Sequence, residues 1–132
     1  MPQNLEHGSI WLANLNPGRG TEPGKIRPVL IMQNQALLDA GHPSTLVIPL
    51  TTNLIDDAEP LRIRIKAEGR LDKDSDLLID QIRAIDNKRL TNGTLLQLDD
   101  NFMRAVSAAV DEVLGLLSGV KGGKARMGAG IK

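Results

Sequence analysis

Cysteine and tyrosine are absent from this chain of 132 residues, and aromatic side chains nearly so, with one Trp and one Phe. Without a thiol there is no disulfide framework, no thiolate metal site and no cysteine nucleophile. Trp11 and Phe102 are too few for the platforms on which general single-strand binders stack successive bases. Any readout of a nucleic acid must then rest on hydrogen bonds and charge. Excess charge of either sign is also missing: 16 basic residues balance 16 acidic ones, so a polyanion must be met by a local basic patch. Imidazole is confined to His7 and His42, isolated from each other and from any carboxylate pair at ligand spacing, so no metal or other cofactor is expected. No apolar run approaches the 18 or so residues that span a bilayer, and the first run is short and interrupted by polar residues, unlike a signal peptide. The expectation is a cytoplasmic protein without a membrane partner, in one domain, since chains of this size bury roughly two-thirds of their unfolded surface.

What is present is a series of short strand-like runs cut by Gly, Pro, Asn and Asp, the pattern of a small antiparallel barrel or sandwich. The runs are Gly8–Leu15, Val29–Gln33, Ser44–Leu50, Leu61–Lys66, Asp76–Arg83 and Thr94–Leu98. In Leu61–Lys66 the alternation is strict, which points Leu61, Ile63 and Ile65 to the core and Arg62, Arg64 and Lys66 outward. That charged stripe reads either as a solvated strand face or as a row of phosphate contacts. Gln35–Asp39 suits one helical turn before Gly41 and Pro43. Asp99 and Asp100 can cap a helix with Phe102, Val106, Ala109, Val110, Val113 and Leu117 on one face, which Gly119 is placed to stop. The predicted domain is 1–118, followed by a flexible, basic, Gly- and Lys-rich tail over 119–132 that is passive or touches RNA.

Chemistry concentrates in the loop Gly20-Thr21-Glu22-Pro23-Gly24-Lys25-Ile26-Arg27-Pro28, which sets a carboxylate and a guanidinium between two strand runs. The acid and base groups left by the composition suit cleavage of RNA by its own 2′-hydroxyl. That reaction needs a base, a positive clamp for the phosphate and help for the departing 5′-oxygen, and no metal or protein nucleophile. Glu22 is ionised at neutral pH and can take the proton, whereas Arg27 is a poor acid and a good bidentate clamp. The same pair also reads as an exposed ion pair worth about 0 to 1 kcal/mol. Thr51 and Thr52, at the end of an apolar run, can bind a phosphate or simply terminate a strand in a turn. Asp80, beside Gln81, interrupts an apolar run in which an acid is costly to bury without a partner.

Taken in order, Gly8-x-Ile10-Trp11-x-x-x-Leu15-x-Pro17, Gly20-Thr21-Glu22, Arg27-Pro28-Val29-Leu30-Ile31, Pro49-Leu50-Thr51-Thr52 and Leu77-Leu78-Ile79-Asp80-Gln81-Ile82-Arg83-x-Ile85-Asp86-x-x-Arg89-Leu90 resemble the MazF/PemK/Kid toxins of type II toxin–antitoxin systems. The resemblance spans about residues 8 to 117. It implies a mainly β fold, a small SH3-like antiparallel barrel of the CcdB/MazF type with a C-terminal helix, working as a homodimer. It also implies sequence-specific, metal-independent cleavage of single-stranded mRNA, leaving 2′,3′-cyclic phosphate and 5′-hydroxyl ends. By position, Arg27 and Thr51 match catalytic residues and Glu22 an acidic residue of the same segment. Asp80 and Gln81 match an acid–Gln pair near the RNA, and Gly20, Thr21, Pro28 and Thr52 fall among the expected RNA contacts. A cognate antitoxin is implied, its acidic segment lying over the dimer groove. Two departures stand out: Pro23 replaces the usual glutamine, and Leu78 stands where some relatives carry a catalytic arginine. Because CcdB-type gyrase poisons share this barrel, a gyrase-binding toxin and an inactive antitoxin-binding relative remain alternatives at this point.

Overall fold

β-branched residues and short alternating runs favour a pleated, half-buried surface, and the punctuating turns cut that surface into hairpins. In the computed structural model, residues 4–17, 19–21 and 25–116 are described; Glu22, Leu117 and the expected tail 119–132 lie outside the described residues. The strands are β1 (Ser9–Asn14), β2 (Ile26–Ile31), β3 (Ser44–Thr51), β4 (Arg62–Ile65), β5 (Ser75–Leu78), β6 (Arg83–Asp86) and β7 (Leu90–Gln97). A short helix α1 (Gln35–Asp39) follows β2, and a longer one, α2 (Asp100–Leu114), follows β7. The strands pair in the order β4-β5-β3-β2-β1-β7, with β6 also on β3, and every pairing is antiparallel.

The long strand β3 holds two partners on one edge, β6 along Ser44–Val47 and β5 along Leu50–Thr51. Moving from Leu50 to Val47 on β3 corresponds to moving from Leu77 to Arg83 along the β5–β6 segment. The surplus residues are taken up by a 3₁₀ turn over Ile79–Gln81. The run Asp76–Arg83 is therefore two strands meeting at a corner and not one. The corner buries Ile79 completely and leaves Asp80 exposed. Asp80 thus carries no burial cost, contrary to the expectation from its apolar neighbours.

Past β4 the chain makes a tight turn bridged between Glu68 and Leu71, and Arg70 donates its backbone N–H to the Leu95 carbonyl at 2.9 Å. This contact draws the β4 end of the sheet toward β7 and curls it into a half-barrel. Central strands are buried on both faces, which is why they read as continuous apolar runs. On one face Ile10, Leu30, Ile48, Leu77 and Ile79 pack with Met103, Val106 and Ala109 of α2; on the other Trp11, Val29, Ile31, Val47 and Ile85 form a second cluster. Leu61 differs from expectation: it precedes β4 and is 49 % exposed, while Ile63 and Ile65 are buried as the alternation requires.

The α2 helix starts as predicted, with the Asp99 carboxylate accepting the Phe102 N–H at 2.8 Å. It ends earlier than predicted, at Gly115 instead of Gly119. Gly115 takes φ +74, and the Leu116 N–H closes on the Asp111 carbonyl at 2.8 Å. This left-handed closure needs a residue without a Cβ, and Gly115 is the first that the helix reaches.

Of the charged stripe, Lys66 is exposed beyond the end of β4, while Arg62 and Arg64 are only partly exposed and bonded to acids. Arg64 stands opposite Asp76 of β5 in the register, and Asp76 is 1 % exposed. Asp76 Oδ1 accepts Arg64 Nε at 2.6 Å, while Oδ2 accepts Arg62 Nη1 at 3.1 Å and the Ile55 backbone N–H at 3.0 Å. Arg62 Nη1 also donates to the Asn53 carbonyl at 2.8 Å, and Arg64 pairs with Asp56 at 2.9 Å. Burial alone would raise the Asp76 carboxyl, but hydrogen bonds from Arg64, the Ile55 amide and Arg62 outweigh it and hold the group below its ordinary value. One buried carboxylate therefore ties β4, β5 and the loop that leaves β3.

Removing one partner of a buried ion pair strands the others, so Asp76→Asn is expected to cost about 3 kcal/mol at pH 7, read as a lower urea midpoint. Because the folded carboxyl titrates below its unfolded value, its contribution is complete above about pH 4 and disappears as pH falls through the folded value. The gap between wild type and Asp76→Asn should therefore close in urea titrations run at successively lower pH below 4. A gap that stays constant on acidification would show that the carboxylate charge is not what stabilises the clasp.

Candidate active site

The site is built on a missing donor. The Met32 N–H bonds the Leu46 carbonyl at 2.9 Å, and the ladder continues through Leu30 and Ile48. Since bonded pairs alternate in an antiparallel ladder, the next one sets Pro28 against Leu50. Proline has no N–H, so the Leu50 carbonyl lacks its ladder donor. The neighbouring side chain supplies one: Arg27 Nη1 donates to Leu50 O at 3.0 Å. This draws the guanidinium inward, where partial burial lowers its pKa from the ordinary arginine value, although arginine stays cationic at neutral pH.

Thr51 follows Leu50 and ends β3. Its Oγ1 accepts the Asn53 N–H at 3.1 Å, so the strand-ending turn considered from sequence is present. With that oxygen accepting from the backbone, the hydroxyl keeps its own proton to donate. On the other side Lys25 holds φ +68, a left-handed conformation that costs a non-glycine residue about 1 kcal/mol. The conformation is fixed from both ends: the Lys25 N–H donates to Asn16 Oδ1 at 2.6 Å and its carbonyl accepts the Leu15 N–H at 2.8 Å. Arg89 Nη1 adds bonds to the carbonyls of Asn14 and Asn16, at 2.9 and 2.8 Å, closing the neck of the β1–β2 loop.

Lys25, Arg27, Pro28, Thr51, Thr52 and Ser75 line one open cleft of about 460 Å³. It combines two cations with hydroxyls at a strand end, a set that can grip a phosphodiester from two sides. Four residues expected from sequence thus meet in the cleft: Arg27, Pro28, Thr51 and Thr52. Gly20 and Thr21 sit in the described part of the β1–β2 loop and do not line it. Asp80 and Gln81 lie in the 3₁₀ corner, which packs toward α2, and do not line it either. Glu22 lies outside the described residues. Among the described residues no three His, Asp or Glu side chains gather as a metal site would require.

Sequence reasoning missed Lys25, Asn53 and Ser75 in this cleft, and Asp76 behind it. The signal for Lys25 was available, a lysine two residues before Arg27. Asp76 becomes visible only once β3 and β5 are paired, because it stands opposite Thr51 in that register.

Comparison with known proteins bears on the fold and the family of the chain. The chain is 40 % identical over 116 residues to Endoribonuclease MazF of Staphylococcus saprophyticus, covering 85 % of this chain and 92 % of that protein. Among solved structures, MazF from Deinococcus radiodurans superposes with a TM-score of 0.71 at 19 % identity, covering 86 % of this chain and 99 % of that one. The Mycobacterium tuberculosis toxin MazF-mt6 gives 0.67 at 22 %, covering 82 % and 97 %. An endoribonuclease in complex with its cognate antitoxin, from a mycobacterial species, gives 0.67 at 19 %, covering 86 % and 97 %. At these identities the superpositions speak for the fold, a curled antiparallel half-barrel with a C-terminal helix. Residues 6–114 match the family model for the PemK-like, MazF-like toxin of type II toxin–antitoxin systems, and the chain belongs to that family.

Proposed function

We propose that this protein is the toxin of a type II toxin–antitoxin system and an endoribonuclease that cuts single-stranded RNA in the cleft between Arg27 and Thr51. The observation that carries the assignment is the half-buried Arg27 guanidinium, fixed on the Leu50 carbonyl within the same cleft as the Thr51 hydroxyl. A cation partly withdrawn from water interacts with phosphate oxygens more strongly than an exposed one, and a fixed one needs little reorganisation in the transition state.

In the reaction the 2′-oxygen attacks the adjacent phosphorus while its proton passes to a base. The bond from phosphorus to the 5′-oxygen breaks, and that oxygen takes up a proton. The products are a 2′,3′-cyclic phosphate and a 5′-hydroxyl. Arg27 clamps the equatorial oxygens as charge builds on them, and the Thr51 hydroxyl donates to one of the same oxygens. Glu22 is the proposed base, a carboxylate three residues before Lys25 of the cleft wall. Asp80, Gln81, Gly20 and Thr21 are assigned to more distant parts of a bound strand. The protein acts as a homodimer in the cytoplasm and is silenced by a cognate antitoxin, whose acidic segment competes with RNA phosphates for Arg27.

Cleavage of a long defined RNA in EDTA, with ends mapped at single-nucleotide resolution, is the direct test. Arg27→Ala should lower the rate about 10² to 10³-fold, the typical cost of one transition-state donor. Arg27→Lys should not restore it, because a lysine cannot bond Leu50 and span two phosphate oxygens together. Undiminished cleavage by a folded Arg27→Ala protein would overturn the assignment. Thr51→Val, which keeps the shape and removes the hydroxyl, should slow cleavage at least tenfold while Thr51→Ser retains most of it. Equal losses in the two variants would remove Thr51 from the chemistry.

A further inference from the structure

Next to the Arg27 cleft lies a second cavity, of about 220 Å³, floored by Leu12, Pro28, Leu71 and Leu95. The two compartments share Pro28, Thr52 and Ser75 in their walls, so they adjoin. The smaller one is a fixed feature of the fold. Its outer wall is the 68–71 turn, in which the N–H groups of Glu68 and Leu71 each bond the other's carbonyl, at 3.1 and 2.9 Å. Gly69, at φ +60, sits so close to β7 that an added Cβ would lie 3.0 Å from the Leu95 carbonyl. Arg70 fastens the turn with its backbone N–H on Leu95 O at 2.9 Å and its Nη1 on Thr94 O at 3.0 Å. The β1–β7 register shifts on both sides of the Trp11–Thr94 pair. The turn holds Leu71 at the floor, 4 % exposed. Asp72 and Lys73 stand at the rim.

We propose that this cavity receives one nucleobase of the RNA strand, the base next to the phosphate clamped by Arg27. The inference rests on the RNA-cleaving assignment above and names where part of its sequence preference arises. An apolar floor below a polar, charged rim suits a flat aromatic ring whose edge carries donors and acceptors. The volume is below the range of about 300 to 1,000 Å³ usual for drug-sized ligands, which suits a single base. Asp72 brings an acceptor-only carboxylate, the group that takes a hydrogen bond from an exocyclic amine. Lys73 brings a cation for the following phosphate. A strand gripped at Arg27 that turns one base over Pro28 and Thr52 meets all of these groups.

The test is the cleavage map itself, scored for base preference at every position around the cut, for wild type, Asp72→Asn and Leu95→Trp. Asp72 is exposed, so its variant should fold; Leu95→Trp fills the cavity, and thermal melting checks that it remains folded. Wild type should prefer amine-bearing bases at one position beside the cut. Asp72→Asn should reduce that discrimination about tenfold at that position alone, and Leu95→Trp should slow cutting at the preferred sites by at least as much. A loss confined to one position is the signature of base readout, since a merely structural defect slows every site alike. If wild type cuts RNA but shows no preference beside the cut, the base-binding proposal fails. It fails equally if both variants keep the wild-type preferences, as they would if the cavity instead held an apolar side chain of a peptide partner. If wild type cuts no RNA, it is the cleavage assignment that fails.

Discussion

The cleft depends on the Leu50 carbonyl. A backbone acceptor inside a sheet must find a donor or cost about 1 to 3 kcal/mol, and Pro28 withholds the one that the ladder would provide. Arg27 fills the gap at 3.0 Å. One dipeptide thus sets two things together: proline ends the β2–β3 pairing at the sheet margin, opening space, and arginine is pinned beside that space. An arginine elsewhere on the loop would swing on its flexible stem and lose rotamer freedom on binding. Here the folded chain has already met much of that cost.

Asp76 secures the opposite wall. Its carboxylate reaches Arg62, Arg64 and the Ile55 amide, and Arg62 reaches on to the Asn53 carbonyl. Asn53 in turn donates its N–H to Thr51 Oγ1. A chain of bonded groups therefore runs from a buried acid in β5 to the hydroxyl in the cleft. The acid stands directly opposite Thr51 in the ladder, so the hydroxyl is positioned both through the strand pairing and through the loop. Two independent constraints on one side chain leave little freedom for its oxygen.

How far this could be read from sequence follows from the range over which each interaction acts. Strand existence, the Asp99 cap and the inward turn of Ile63 and Ile65 are local, set by alternation or by residues three apart, and they were legible. The Arg27-Pro28 pair was legible as a motif, but its role was not, because the Leu50 carbonyl lies 23 residues away. The Asp80 corner was misread because the periodicity of an apolar run carries no mark of a three-residue insertion that only pairing with β3 reveals. Likewise the early stop at Gly115 depends on which of two glycines the helix meets first, and spacing alone favoured the later one. The Asp76 clasp was least legible: alternation pointed Arg62 and Arg64 outward, and only the β4–β5 register shows that this direction leads to a buried acid.

The clasp also bears on how a chain with no net charge can attract a polyanion. Arg62, Arg64, Asp56 and Asp76 join two positive and two negative groups in one bonded cluster, so its field beyond the nearest contacts is small. The remaining acids of that region, Asp57 and Glu59, line the clasp's own cleft and not the one that holds Arg27. Along the two adjoining cavities the basic groups are Lys25, Arg27, Arg70 and Lys73, with Asp72 as the single carboxylate among the described lining residues. Solvent screens exposed charges beyond about 8 Å at physiological salt, so a bound strand responds to this local excess and not to the whole-chain sum. Overall neutrality and a cation-lined groove are therefore compatible, because the fold spends two of its arginines on an internally neutral clasp and gathers others where a phosphate chain can lie.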